Sequence, residues 1–335
     1  MKNRKILKLL VVLLLLQCPL FLSAQTSIVK RYGQLSIKGN YIMSEFGDTV
    51  QLRGMSLFWS QWMGKYYNAE TVKWLKDDWN CTVIRAALGV ENDGYLTNPK
   101  EEKRKIEEVV DAAIELGVYV IIDYHSHEAY KNPEAAKTFF SEMSKKYGKY
   151  PNVLYEIFNE PLQDVSWVNK LKPYSENVLK SIRENDPDNI VICGTRVWSQ
   201  MASEAADAPI ADKNVAYTLH FYAVSHGQSL RDEAEKALAK GIAIVVTEFG
   251  DCDYTGDGVL GYDQTNEWFA FMDKHKISWC NWSVSDKVET ASILKPHKEL
   301  TGWYDEDLTP SGLFIKKEIR TKNATVFKKV KKEKK

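Results

Sequence analysis

Val153-Leu154-Tyr155-Glu156-Ile157-Phe158-Asn159-Glu160-Pro161 is the stretch on which the fold turns. Its apolar run carries β-branched and aromatic residues, so the chain is expected to arrive extended. Pro161 fixes its own φ, donates no backbone N–H and disfavours a helical Glu160, so the strand stops at Asn-Glu-Pro. A carboxylate at the end of such a strand points into whatever lies above the sheet. Eighty-eight residues later the pattern recurs in Ile242-Ala243-Ile244-Val245-Val246-Thr247-Glu248-Phe249-Gly250. Again an apolar run ends in a glutamate, and again a turn former follows.

Outward from these two runs a rhythm emerges. Apolar, β-rich segments recur near Leu52, Thr82, Val118, Val153, Asn189, Val215, Ile242 and Ser278, at steps of 26 to 36 residues. Amphipathic helical patterns lie between them. Ile106, Val109, Val110, Ala113, Ile114 and Leu116 follow i, i+3, i+4 spacing, and Gly117 stops that helix. Another helix is predicted from about Val165 to Arg183, with Pro187 beyond its end. Eight such units, without a GxGxxG in the first turn, predict an α/β chain folded as a (β/α)8 TIM barrel rather than a doubly wound sheet. Leu35-Ser36-Ile37 and Tyr41-Ile42-Met43, joined at Gly39-Asn40, predict a short N-terminal β-hairpin. The chain has 335 residues, which accommodates one barrel of roughly 250 residues with its ends.

Composition narrows the classes. Hydrophobic content of 44% and charged content of 27% are ordinary for a globular protein. Lysine plus arginine equals aspartate plus glutamate, 45 each, so no general attraction to nucleic acid or membrane is expected. Most of the ten tryptophans and seventeen tyrosines belong in a core, yet a flat ring in a groove suits the C–H face of a sugar. Lys2, Arg4, Lys5 and Lys8 precede an apolar run, and Leu22-Ser23-Ala24 ends in a small residue. That order reads as an export signal over residues 1–24, placing the mature protein as secreted or periplasmic. Ile6 to Leu22 is 17 residues, near the short limit for a span, so a retained anchor is the rival reading. Cys81, Cys193 and Cys280 fall in predicted strands and are expected to be free and buried. Export leaves a Cys252–Cys280 bridge open. Residues 321–335 form a basic tail expected to stay solvated and disordered, and Asn323-Ala324-Thr325 matches a glycosylation acceptor pattern.

In a barrel of this kind the active site lies at the C-terminal strand ends. Those ends offer Phe58, Trp59 and Trp62, then Arg85, then Asp123 with His125 and His127, then Asn159-Glu160. The later strands contribute Trp198, His220 with Tyr222, Glu248, and Asn281-Trp282. Two strand-end glutamates are the pair that cleavage of a glycosidic bond requires. The competing chemistry is a metal site, with His125 and His127 as a His-x-His pair completed by His220, Glu248 or Asp286. Against it, the pair follows the third strand rather than the first, and no bridging lysine is evident. No metal and no cofactor are expected.

The ordered set Arg85, His125, Asn159-Glu160-Pro161, His220-Phe221-Tyr222, Glu248-Phe249-Gly250 and Trp282 resembles glycoside hydrolase family 5 of clan A. Arg53-Gly54-Met55-Ser56, Gln61-Trp62 and the segment from Trp282 to Thr290 resemble its bacterial endo-β-1,4-glucanase (cellulase) subgroup, and the likeness runs over about residues 35–320. The resemblance implies a single catalytic domain over residues 25–320 that cleaves internal bonds of cellulose-type glucans with retention. Glu160 would be the acid/base, its pKa raised by burial and by the second carboxylate, and Glu248 the nucleophile, kept ionised by Arg85 and Tyr222. Asn159 would bond the sugar's 2-hydroxyl, His125 and His220 would orient polar groups, and Trp282 would stack under the central sugar. Trp62, Lys287 and Glu289 would hold the next sugar toward the non-reducing end. Phe58 stands where many relatives have a histidine, which affects sugar contacts rather than chemistry. Other family 5 specificities (mannan, mixed-linkage β-glucan, xyloglucan) and a non-catalytic glycan-binding barrel are the alternatives. The expected partner is a β-glucan polysaccharide substrate, the protein is expected to be a monomer, and no nucleic acid and no membrane after signal cleavage are expected.

Overall fold

The computed structural model describes residues 27–296 and 301–327. Two short antiparallel strands come first, β1 (Ser36–Lys38) and β2 (Tyr41–Met43). Eight parallel strands then close on themselves in sequence order. They are β3 (Arg53–Leu57), β4 (Val83–Gly89), β5 (Tyr119–His125), β6 (Val153–Glu156), β7 (Val191–Cys193), β8 (Val215–Tyr222), β9 (Ala243–Gly250) and β10 (Ser278–Val284), with β10 pairing back onto β3. All eight apolar runs became strands, buried along almost their whole length, because a parallel barrel covers both faces of every strand.

The crossover helices follow the expected punctuation. The helix Pro99–Leu116 starts on proline, which needs no N–H partner in the first turn, and ends at Gly117, whose φ of +69° favours glycine. Its buried Ile106, Val109, Val110 and Ala113 form the predicted stripe. In the fourth crossover a π-helical turn, Trp167–Leu171, runs into the helix Lys172–Arg183. Trp79, Trp268, Trp279 and Trp303 are fully buried, so much of the tryptophan content is core.

The N-terminal segment is tied to the ends where strands begin. Ile28 N donates to Gly117 O at 2.8 Å, Tyr119 Oη to Gly33 O at 2.7 Å, and Ile37 N to Asn214 Oδ1 at 3.0 Å. The hairpin side of the molecule therefore covers the barrel floor, leaving the opposite mouth for chemistry.

The other end of the chain departs from expectation. The helix Pro310–Asn323 buries Ile315 and Ile319 against the barrel, so order extends past residue 321. Two of its lysines are paired: Lys316 Nζ lies 2.8 Å from Asp78 and Lys322 Nζ 2.7 Å from Asp273. Opposite charges waiting on the barrel remove the self-repulsion that the sequence run suggested. Asn323 is fully buried and its side-chain amide donates to Arg53 O and Asn80 O, which leaves the glycosylation pattern inaccessible. The basic run 328–335 and the export signal over 1–24 lie outside the described residues. Cys81, Cys193, Cys252 and Cys280 are all buried, free thiols, so Cys252 and Cys280 are not bridged. Among the described residues no helix is long and apolar enough to cross a membrane.

Candidate active site

One guanidinium organises the mouth. Arg85, on β4, is fully buried, and three carboxylates surround it. Its Nε and Nη2 donate to Glu156 at 2.7 and 3.3 Å, Nη2 also reaches Asp123 at 2.9 Å, and Nη1 reaches Glu248 at 3.0 Å. Nη2 further donates to Asn159 Oδ1 at 2.6 Å and fixes that amide. The barrel register sets this up, because Asp123 and Glu156 stand opposite each other on β5 and β6. Isolated, each charge would be far too costly to bury; paired and hydrogen-bonded, the set persists as a unit.

Glu248 takes a second bond from the Tyr222 hydroxyl, 2.9 Å from Oε1. Glu160 is held by two histidines, His127 Nε2 at 3.1 Å from Oε2 and His220 Nδ1 at 2.9 Å from Oε1. One oxygen of Glu160, one nitrogen of His220 and one oxygen of Glu248 all lie within 4.8 Å of one another. His125 is tied through Nδ1 to Asp123 at 2.6 Å and lies 3.4 Å from the Asn159 amide through Nε2.

The electrostatics reverse one expectation. Burial pushes the Glu160 carboxyl up, but the hydrogen bonds and charges of His127 and His220 outweigh it and bring it down to about 2. Burial lowers His220, while Glu156, Glu160 and Glu248 raise it to about 9. Glu248 is raised by burial and by the Glu160 charge, against His220, Arg85 and Tyr222. Resting Glu160 is therefore ionised beside a cationic His220. His127, just past the end of β5, and His220, on β8, carry this effect, which the expectation of a raised Glu160 did not include. Burial and the Arg85 charge keep His125 neutral.

Aromatic rings extend the cleft in two directions. Trp282 is parallel to His125 with centroids 5.1 Å apart and meets Phe58 at 5.1 Å. Phe58 lies 6.4 Å from Trp62, which is 54% exposed, and Lys287 Nζ sits 5.7 Å over the Phe58 ring while bonding Glu289. Trp62, Trp282, Lys287 and Glu289 thus form one connected wall. On the Glu160 side a cavity of about 460 Å³ is lined by His127, Trp198, Gln200, His226 and Tyr254. Trp198 reaches it from a loop in which Val197, Trp198 and Ser199 all have positive φ, near +57°, +51° and +59°. Such a backbone needs outside support. Trp198 N donates to Pro161 O at 2.9 Å and Ser199 Oγ to Asn159 O at 2.7 Å, tying the loop to the Asn-Glu-Pro turn.

The residues expected from the sequence lie at this mouth; Asp123 and His127, named at the end of the third barrel strand but given no part in the glycosidase set, take direct part, and Glu156 and Thr247 join them from inside β6 and β9. His127, Asp123, Glu156 and Thr247 touch the central groups directly. The metal arrangement fares differently. Asp286 is bonded to Lys65 at 2.5 Å, the imidazoles of His125 and His127 are bonded to Asp123 and Glu160, and Glu248 faces a guanidinium. Among the described residues, Glu160, His220 and Glu248 are the group whose ligand atoms come close enough together for a cation.

Comparisons agree with the geometry. The family model described as Cellulase (glycosyl hydrolase family 5) matches residues 43–288. An endoglucanase of Clostridium saccharobutylicum is 46% identical over 299 residues, covering 88% of this chain, and the chain spans 66% of that relative's length. A solved structure from Cytophaga hutchinsonii is 59% identical with a TM-score of 0.90, over 90% of this chain and 99% of that one. A catalytic-domain variant of Thermobifida fusca endoglucanase Cel5A in complex with cellotetraose is 33% identical with a TM-score of 0.85, over 88% of this chain and all of that one.

Proposed function

The chain belongs to glycosyl hydrolase family 5, and from that premise we propose that it is a retaining endo-β-1,4-glucanase acting on cellulose-type chains. The observation that carries this reading is the approach of the Glu160 and Glu248 carboxyls to within 4.8 Å. Retention by double displacement uses carboxyls about 5 to 5.5 Å apart, whereas inversion needs room for a water between them.

In the first step Glu248 attacks the anomeric carbon, and the leaving oxygen takes a proton from Glu160. That proton is held between His220 Nδ1 and Glu160 Oε1, 2.9 Å apart, so it passes to the carboxylate as the leaving oxygen draws on it. Arg85 and Tyr222 aim the two oxygens of Glu248. Once Glu248 is esterified its charge is gone, and Glu160 removes a proton from water, returning it toward His220. Asn159, held by Arg85, faces the sugar's 2-hydroxyl, where a hydrogen bond strengthens as positive charge develops.

The stacked wall of Trp282, Phe58 and Trp62 takes glucosyl units toward the non-reducing end, with Lys287 and Glu289 bonding hydroxyls. The cavity at Trp198 and Tyr254 takes the leaving side. Binding surface on both sides of the glutamates supports internal cleavage, and cellotetraose in the Thermobifida relative supports the glucan class. A polymer too large to enter a cell, together with the export pattern over 1–24, supports action outside the cytoplasm.

The test is proton NMR of product released from purified β-glucans. The β-anomer of a cello-oligosaccharide ladder is expected first, unaffected by EDTA. An α-anomer removes the retaining mechanism, faster turnover of mannan or xyloglucan moves the specificity, and loss of activity on chelation brings back a metal.

A further inference from the structure

Beyond the groups that meet the sugar, a second carboxylate reaches the acid/base through two intermediaries. Thr247 Oγ1 donates to Glu156 Oε1 at 2.6 Å and lies 2.8 Å from His220 Nε2, with Thr218 Oγ1 also against it. Side chains in a strand alternate between faces, so Thr247 and Glu248 should point opposite ways. They do not, because β9 carries one extra residue here. Thr218 pairs with Val245 but His220 pairs with Glu248, and on the other edge Trp279 pairs with Val246 but Asn281 with Phe249. A bulge of this kind re-aims a side chain at a site.

Counting protons fixes the rest. Glu156 is held ionised by its two bonds from Arg85, which outweigh burial. The cationic His220 adds to the Arg85 charge and bonds in lowering its pKa, so Glu156 can only accept, and the one hydroxyl proton of Thr247 goes to it. Two lone pairs remain on Thr247 Oγ1, facing Thr218 and His220. His220 Nε2 must then carry a proton and donate. Its Nδ1 is left to share whatever further proton the pair holds with Glu160 Oε1.

We propose that Glu156 and Thr247 are positioning residues that lock His220 in the Nε2–H form, so that the proton needed for leaving-group departure can sit only on the Nδ1–Glu160 bond. Thr247, Glu156, Glu160, Glu248 and His125 are the groups that contact or interact with this imidazole. The inference rests on Glu160 being the acid/base, but the tautomer itself can be read without turnover.

Two measurements decide it. Nitrogen-15 NMR of the wild-type imidazoles, followed through about pH 9 to where His220 loses its charge, is expected to find Nε2 still protonated and Nδ1 bare; a bare Nε2 with a protonated Nδ1 overturns the proposal. Thr247→Val is expected to lower kcat/KM by roughly tenfold or more on a cellobioside with a poor leaving group such as unsubstituted phenol, with little change on 2,4-dinitrophenyl cellobioside, which departs unprotonated. Thr247→Ser, which keeps the hydroxyl, is expected to restore the first value. Equal losses on both substrates, no loss on either, or a serine variant no better than valine overturns it. Wild-type protein that cleaves neither cellobioside sinks the glucanase reading instead, and the NMR result still decides the tautomer.

Discussion

Arg85 Nη1 lies 3.0 Å from Glu248 Oε2 inside the barrel, with the guanidinium fully buried. Burial and the nearby Glu160 charge push the Glu248 carboxyl up, and Arg85, which favours the ionised form, only partly offsets them. A group with a raised folded pKa stabilises the fold below its unfolded value and gives that stability up as pH rises through the folded value. Glu248→Gln should therefore abolish glucan hydrolysis while its Tm at pH 7 to 8 equals or exceeds that of the wild type. Substantial residual hydrolysis would contradict the role of Glu248, and a sharply lower Tm would contradict this electrostatic account.

Glu160→Gln takes away the proton donor but leaves the attacking carboxylate. Hydrolysis of unactivated glucans should fall about 10²- to 10⁴-fold. Activated aryl cellobiosides should still form the glycosyl-enzyme, and added azide should restore turnover with a β-glycosyl azide as product. His220, deprived of its carboxylate, should titrate lower than about 9. An α-azide or an unshifted histidine would speak against the assignment.

What the sequence disclosed and what it hid divide along physical lines. Strand runs such as Val153 to Phe158 and helix ends such as Gly117 are local signals, so the barrel and the strand-end residues were legible. Glu156 was read only as part of an apolar run. Its partners Arg85 and Thr247 come from strands 71 and 91 residues away. Thr247 turns inward only because β9 bulges, which no pattern of hydrophobicity records. The signal that existed was a lone charge inside a parallel strand, since such a charge has to find a partner.

The C-terminal helix makes the same point through stability. Asn323 donates to two carbonyls and accepts from Arg53 Nη1 at 3.3 Å, wholly out of water. Asn323→Ala strands those buried groups and should cost about 1 to 3 kcal/mol in denaturant unfolding. Ending the chain at residue 309 should prevent folding, because Ile315, Ile319 and the Lys322–Asp273 pair go with it. Ending it at residue 327 should leave Tm and activity unchanged.

Asp251 supplies a pH dependence separate from catalysis. It follows β9, accepts a 2.9 Å bond from Ser311 Oγ on the C-terminal helix, and has its other oxygen buried without a partner. Burial raises its carboxyl to about 6 despite the serine. An unfolded aspartate titrates near 3.9. The folded state thus binds the proton more tightly, and this stabilisation is full below about 4 and lost as pH climbs through about 6. Across that window the loss amounts to about 3 kcal/mol as an upper order of magnitude. Asp251→Asn, which stays neutral and can still accept from Ser311, should flatten the Tm profile between pH 4 and about 6 and raise Tm at pH 7 to 8. An unchanged slope would mean that the docking of this loop onto the helix does not depend on the protonation of Asp251.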